Sequence, residues 1–97
     1  MPTYVLLIDW TQQGVEKFAD SVDRYEAAQG DFEKMGVSFK SIYWTLGNHD
    51  IVSIVDAPDG ETLAAALLKL ASQGNLRTTT LRALSADEMR GVIAKTT

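Results

Sequence analysis

The chain has 97 residues, of which 45% are hydrophobic and 23% are charged, and these proportions are ordinary for one folded domain. A formal net charge of −4 argues against nucleic-acid binding, which needs clustered Lys and Arg, and no basic amphipathic helix is available to hold a membrane surface. The absence of cysteine excludes disulfides, thiolate nucleophiles and Cys-based metal sites.

The first part of the chain predicts a strand followed by an interrupted helix. Residues 4–8 form a continuous apolar run, typical of a strand buried on both faces. Thr11 can cap a helix that Gly36 can end, and Asp20-Ser21 can interrupt this helix and restart it with a new cap. The predicted apolar stripe, at three- and four-residue steps or their multiples, consists of Val15, Phe18, Val22, Tyr25, Phe32 and Met35.

A β-hairpin is predicted in the middle of the chain. Residues 37–46 and 51–57 predict the second and third strands, and the turn over residues 47–50 joins them. Gly and Asn in this turn tolerate the positive φ that a tight turn demands, and Asp can hydrogen-bond to nearby backbone. The hairpin end also holds the single histidine of the chain.

The remaining sequence predicts a helix, a strand and a short final helix. Asp59 can cap the second helix, which has Leu63, Leu67 and Leu70 on its core face and ends before Gly74. Residues 76–83 are rich in Thr and alternate as a fourth strand does. Residues 85–88 read as a capping box that opens the last helix.

This order of elements predicts an α+β fold, a ferredoxin-like βαββαβ sandwich with a C-terminal helix. Right-handed crossovers place both main helices on one face of the sheet. In the first strand Tyr4, Leu6 and Ile8 point to one face, whereas Val5 and Leu7 point to the other, so the face without helices is also apolar. A homodimer that packs sheet against sheet, forming a dimeric α+β barrel, would bury this second face.

The hairpin end also carries a family resemblance. Gly47-x-His49-Asp50 resembles the Gly-x-Tyr-Asp signature of the GYD-domain family, small bacterial and archaeal proteins without an established biochemical role. The match in order and spacing runs along nearly the whole chain, through residues 1–5, 10–11, 43–45, 57–58 and 74–83. It implies the ferredoxin-like fold and the dimeric α+β barrel. His49 stands where the signature has Tyr, so this position carries an imidazole in place of a phenol.

With the strands in the order 4-1-3-2, several polar and aromatic residues should gather at one edge of the sheet. An Asp, a His, an Arg and an indole on converging loops can form the mouth of a polar pocket. The predicted edge residues are Asp9, Trp10, Thr45, His49, Asp50, Asn75 and Arg77, and the ligand-binding candidates are Asp9, Trp10, Tyr43, Trp44, His49, Asp50 and Arg77. Arg77 can clamp a carboxylate or form an ion pair with Asp9 or Asp50.

Each candidate also has a purely structural interpretation. Asp50 can serve only as a turn residue, and His49 can be a solvated ring. Trp44 and Trp10 can anchor the core or an interface, and Tyr43 should face the opposite side of the sheet from Trp44, so at most one of the two lines a barrel cavity. Asp9, His49 and Asp50 could hold a metal by ligand type, but a single histidine without a ligand-spacing motif argues against it, so neither a metal site nor a cofactor is predicted.

Three functions compete. The leading hypothesis is a homodimeric module that binds a small organic ligand in the barrel or at its rim, and it is supported by similarity to the ligand-binding domains of amino-acid-responsive regulators. The alternative is a cofactor-independent small enzyme, of the oxygenase or isomerase type, with His49 and Asp50 as weak catalytic candidates for proton transfer. The third is a purely structural or interaction protein, in which the residues at this edge of the sheet only shape the turn.

The sequence predicts no signal that would direct the protein out of the cytoplasm. Met1-Pro2-Thr3 leads directly into a strand, without the basic region and apolar core of a signal peptide. No apolar run approaches the roughly 20 residues of a membrane span. We therefore expect residues 1–97 to fold as one cytoplasmic domain. The expected partners are a second copy of the chain and a small molecule, and no binding to nucleic acid or membrane is expected.

Overall fold

Helices on one face of an antiparallel sheet make up the fold, in the order that the sequence predicts. The computed structural model describes residues 1–97. The elements are β1 (Thr3–Trp10), α1 (Gln12–Glu16), a 3₁₀ turn (Phe18–Asp20), α2 (Ser21–Lys34), β2 (Ser38–Trp44), β3 (Ile51–Asp56), α3 (Gly60–Ala71), β4 (Leu76–Ala83) and α4 (Ala86–Ala94). The strand order is β2-β3-β1-β4, with all neighbours antiparallel, which confirms the predicted ferredoxin-like arrangement.

The core lies between the sheet and the helices α2 and α3. Leu6, Val37 and Val55 have no exposed surface, and Leu63 of α3 is 1% exposed. Burying each such side chain contributes roughly 1.5–3 kcal/mol to the stability of the fold, relative to leaving it exposed. Leu6 belongs to β1, the strand paired on both sides. Alternation separates Tyr4, Leu6 and Ile8 from Val5 and Leu7, and the structure shows that the first set lies under the helices.

The first helix is interrupted where the sequence predicts it. α1 ends at Glu16, and a 3₁₀ turn leads into α2, which begins at Ser21. The predicted apolar stripe is wrong in its first half, because Val15, Phe18 and Val22 are 42%, 56% and 52% exposed. The 3₁₀ turn breaks the 3.6-residue phase, so apolar residues before and just after it no longer share a face with Phe32, which is buried.

A close contact fastens α1 to the start of β4. The Thr11 N–H donates to the Asn75 carbonyl at 3.1 Å, and the Thr11 hydroxyl donates to the Gly74 carbonyl at 2.6 Å. Gly14 lies directly against this backbone, since a Cβ at that position would stand 2.0 Å from the Asn75 oxygen. Glycine is therefore required here by space.

The second face of the sheet carries no helix. We call it the open face, and its apolar side chains are Val5 and Leu7 of β1, Tyr43 of β2, Val52 and Ile54 of β3, and Leu81 of β4. At one end of the open face Asp56 accepts a hydrogen bond from the Thr3 hydroxyl at 2.7 Å and pairs with Lys40 at 3.2 Å. Asp9 and Arg77 lie at the other end of the same face, so an apolar band lies between two polar ends.

The last helix differs from the others. α4 follows β4 after two residues and has the capping box predicted for residues 85–88, yet none of its residues is buried. The molecule measures 52 × 31 × 18 Å along its principal axes. No helix has the length and apolar character that crossing a membrane requires.

Candidate functional site

The β2–β3 turn holds His49 beside the end of β1. Gly47 has a φ of 113°, which a residue with a side chain rarely adopts. Thr45 closes the turn twice, because its N–H donates to the Asp50 carbonyl at 2.8 Å and its hydroxyl donates to the His49 carbonyl at 2.6 Å. These bonds fix the backbone from which the imidazole projects.

His49 contacts Asp9, the second-last residue of β1. The Nδ1 atom lies 3.2 Å from Asp9 Oδ1 and 3.4 Å from Oδ2, with the two side chains about one-third exposed. When Nδ1 carries the proton, Asp9 accepts a hydrogen bond from it and Nε2 is left as an acceptor without a partner in the chain. The arrangement can therefore bind a donor or accept a proton at Nε2.

Arg77 completes this end of the open face. It stands opposite Asp9 in the β1–β4 register, so the two side chains project from the same face. The four ion pairs of the protein are Lys40–Asp56, His49–Asp9, Arg82–Glu88 and Arg90–Asp87. The ion pair of Arg77 with Asp9 or Asp50 considered from the sequence is thus not formed, and its guanidinium can receive an anion. We call Asp9, His49 and Arg77 the rim cluster.

Asp50 performs a backbone role. Its Oδ2 accepts a hydrogen bond from the Trp10 N–H at 2.9 Å, and its own N–H donates to the Ile8 carbonyl at 3.0 Å. The last regular pair of this ladder is Ile8 with Ile51, so Asp50 extends the β1–β3 contact beyond it. The carboxylate that contacts His49 is that of Asp9, not that of its sequence neighbour.

The two tryptophans lie on the helix-covered face. Trp44 donates through Nε1 to the Ser21 hydroxyl at 2.8 Å and meets Tyr25 edge to face, with 6.1 Å between ring centroids. Trp10 packs against the buried core. Tyr43 belongs to the open face, so the expectation that at most one of Tyr43 and Trp44 lines a cavity there agrees with the strand register.

The helix-covered side also contains a cleft that the sequence did not suggest. It encloses about 480 Å³, including space open to solvent, between α2, α3 and the sheet. Its walls are mainly apolar and include Tyr25, Phe39, Ile42 and Leu70. Arg24 also lines the cleft, and its guanidinium donates a hydrogen bond to the Gly14 carbonyl at 3.1 Å. None of the predicted ligand-binding candidates lines this cleft.

Comparison with protein families identifies the domain. Residues 4–93 match the family described as the GYD domain. A protein of Thermus thermophilus named glutamine synthetase and cystathionine beta-lyase binding protein is 34% identical over 90 residues, which are 92% of this chain and 95% of the relative.

Solved structures share the fold at lower identity. A feast or famine regulatory protein from M. tuberculosis, complexed with L-methionine, superposes with a TM-score of 0.67 at 17% identity. The leucine response regulatory protein of the same organism gives 0.65 at 18% identity. The superposition on the first regulator covers 89% of this chain and 52% of the regulator, and that on the second covers 88% and 51%. This chain therefore spans about half the length of each regulator. A further protein from Thermus thermophilus gives 0.57 at 24% identity, over 89% of this chain and 96% of that protein.

The regulators establish similarity of fold alone, whereas the family match covers nearly the whole chain and agrees with the Gly47-x-His49-Asp50 segment, so this protein belongs to the GYD-domain family.

Proposed function

We propose that this protein is a homodimeric binding module that holds a small organic acid between two open faces, next to the rim cluster. The observation that carries the proposal is the position of Arg77, an unpaired guanidinium at the border of an apolar band. A cation beside apolar surface suits a ligand that has a carboxylate at one end and an apolar body at the other.

The open face supports the dimer. Its central positions are occupied by Val5, Leu7, Val52 and Ile54, which lie on the face of the sheet opposite the buried core. Contiguous apolar patches of this kind usually mark an interface. Packing two such faces together would remove the patch from water and enclose a space between the sheets.

The register supports the location of the ligand. Leu7 pairs with Val52 on one side and Thr79 on the other, one step inward from Asp9 and Arg77. A carboxylate on Arg77 would therefore direct the rest of the ligand over Leu7, and the Nε2 of His49, which has no partner in the chain, can bind a second polar group. The Thr79 hydroxyl offers a further hydrogen bond on the same face.

A thermal-shift screen of amino acids and aromatic carboxylic acids tests this function. An acid present at about 100 times its Kd should raise the Tm by roughly 10 °C or more, because it binds only the folded state. The primary amide of each acid is the control ligand, and Lys34→Gln is the control variant for Arg77→Gln because it removes the same charge from α2. Stabilisation that is equal for acids and amides, or that persists in Arg77→Gln, would contradict the carboxylate site.

A second candidate function is binding of an enzyme of amino-acid metabolism, which the printed name of the Thermus relative suggests. The specific observation in its favour is the exposure of two large apolar side chains in turns, because Leu46 is fully exposed and Phe18 is largely exposed. Leu46 belongs to the β2–β3 turn, and Phe18 to the 3₁₀ turn that follows α1.

Biolayer interferometry with purified glutamine synthetase and cystathionine beta-lyase tests this candidate. Leu46→Ser and Phe18→Ser should each weaken the interaction by about tenfold or more, because each removes a large apolar side chain that the interface would bury. Leu68→Ser is the matched control, since Leu68 is also exposed but lies on α3. Equal affinity in all variants would exclude this surface.

A further inference from the structure

We propose that α4 of each subunit docks on the second copy of this chain and thereby completes the dimer interface. The inference rests on the proposed homodimer and adds to it the element that enlarges the contact beyond the two sheets. In a two-fold symmetric dimer each α4 would contact the partner subunit, so the contact occurs twice.

The first support is the apolar stripe of α4. Met89, Val92 and Ile93 follow the i, i+3, i+4 spacing of one helical face, and they are 45%, 42% and 55% exposed. Leu84, just before the helix, is also exposed. An apolar stripe of this kind normally packs against another surface, and the chain's own body does not cover it.

The second support is the length of α4. It has nine residues, whereas isolated helices shorter than about 12–15 residues are marginal in water. Its Ser85–Glu88 capping box and the Arg82–Glu88 ion pair at 3.2 Å are exposed contacts at its first turn. Solvent screens exposed contacts of this kind, so they add little to the stability of the helix. A stable α4 therefore needs a packing surface.

The area available on the sheets argues for a second copy as the occupant. Four strands about 4.8 Å apart and roughly 20–26 Å long project about 400–500 Å² per subunit, or about 800–1,000 Å² for the pair. Stable specific interfaces bury about 1,200–2,000 Å². Two docked helices, each about 13 Å long and about 10 Å wide, would add about 500 Å² counted on both partners and bring the total into that range.

The position of α4 in the chain and its charge also favour a second copy of the chain as the surface on which it docks. Leu81 lies on the open face near the end of β4, and only two residues, among them the exposed Leu84, separate β4 from α4, so the apolar side chains of the helix are close along the chain to the open face. The polar side of α4 carries the Asp87–Arg90 pair at 2.7 Å, which leaves it without the cationic surplus that an anionic membrane would need.

Sedimentation of wild type and three variants tests the proposal. Wild type should be dimeric at about 10 µM. Val92→Asp/Ile93→Asp and a chain ending at Leu84 should each raise the dimer Kd by about 30-fold or more, because apolar side chains are lost from two symmetric contacts. Asp87→Ala, on the polar side of α4, is the matched control and should leave the Kd within about threefold.

Hydrogen exchange on unmodified protein makes the test independent of mutant folding. Amides of residues 86–94 should be protected in the dimer and lose that protection on dilution to monomer, while β1 stays protected. A wild type that is monomeric overturns both the homodimer and the docking of α4. A dimer whose Kd is unchanged in both α4 variants, or α4 that binds vesicles of anionic lipid without affecting the dimer, overturns the docking of α4 alone.

Discussion

Asp9 and His49 are separated by 40 positions along the chain, yet their side chains meet at 3.2 Å across the end of the sheet. The contact exists because β3 pairs with β1 and ends its ladder at Ile8 and Ile51, which brings the β2–β3 turn onto the end of β1. A carboxylate that contacts Nδ1 orients the imidazole and leaves Nε2 free for a ligand. The residue that departs from the family signature is thus part of the candidate site.

His49→Tyr should preserve both the fold and acid binding. The phenol is the group of the family signature and can donate to Asp9, and the site is partly exposed, so the change in the free energy of unfolding should stay within about 0.5 kcal/mol. Urea unfolding and ligand titration measure the two effects. His49→Ala, which removes the donor, is the contrasting variant. Loss of acid binding in His49→Tyr with an intact fold would show that the imidazole itself is needed at the site, a requirement that the cofactor-independent enzyme shares.

Asp50→Asn and Asp50→Ala should separate the backbone role of Asp50 from a charge role. Asn retains an oxygen that can accept the Trp10 N–H, so its stability should lie near wild type. Ala leaves that N–H without its partner and should cost roughly 1–3 kcal/mol in chemical denaturation. If Asn is stable but no longer binds an acid that wild type binds, the charge of Asp50 belongs to the site as well.

Leu6 and Leu7 should give different phenotypes although they are adjacent. Leu6 is completely buried beneath the helices, so Leu6→Ala should lower the free energy of unfolding by about 2–5 kcal/mol. Leu7 faces the open side, so Leu7→Lys should retain secondary structure while weakening the dimer. Circular dichroism melts and sedimentation distinguish these outcomes. A Leu7→Lys protein that remains fully dimeric would exclude the open face as the interface.

The sequence was sufficient for features set by local pattern. Alternation separated Leu6 and Ile8 from Val5 and Leu7 without deciding which set lies under the helices, and the bounds of β4 coincide with the predicted residues 76–83. Phe18 was misplaced, because a helical stripe can be extrapolated only while the helix stays regular. The Asp9–His49 contact was not predicted as a pair, since no local rule relates side chains that meet only through the sheet register.

Gly14 and Gly30 should respond in opposite directions to replacement by alanine. At Gly14 the new methyl group would stand 2.0 Å from the Asn75 oxygen, so the backbone joining α1 to β4 must shift, and we expect a loss of at least about 2 kcal/mol in the free energy of unfolding. Gly30 lies within α2 with nothing inside 4 Å of the added Cβ. Ala there should stabilise the protein by about 0.5–1 kcal/mol. Urea titration of both variants under one condition measures the contrast, which equal effects would contradict.

Acid should remove a stabilising contribution from Asp56. The hydrogen bond from the Thr3 hydroxyl, followed by the contact with Lys40, holds the pKa of this carboxyl below its ordinary value near 3.8. A group whose pKa is lower in the folded state stabilises the protein above its unfolded pKa, and the stabilisation disappears as the pH falls through the folded pKa. The free energy of unfolding, measured by urea titration between about pH 2 and pH 7, should therefore fall more steeply in wild type than in Asp56→Asn, by at most about 1 kcal/mol since Lys40 is exposed. Asp31→Asn, which removes a carboxylate outside these contacts, is the control and should follow the wild-type curve. Parallel curves for wild type and Asp56→Asn would show that the Thr3–Asp56–Lys40 contacts contribute nothing to the acid sensitivity of the fold.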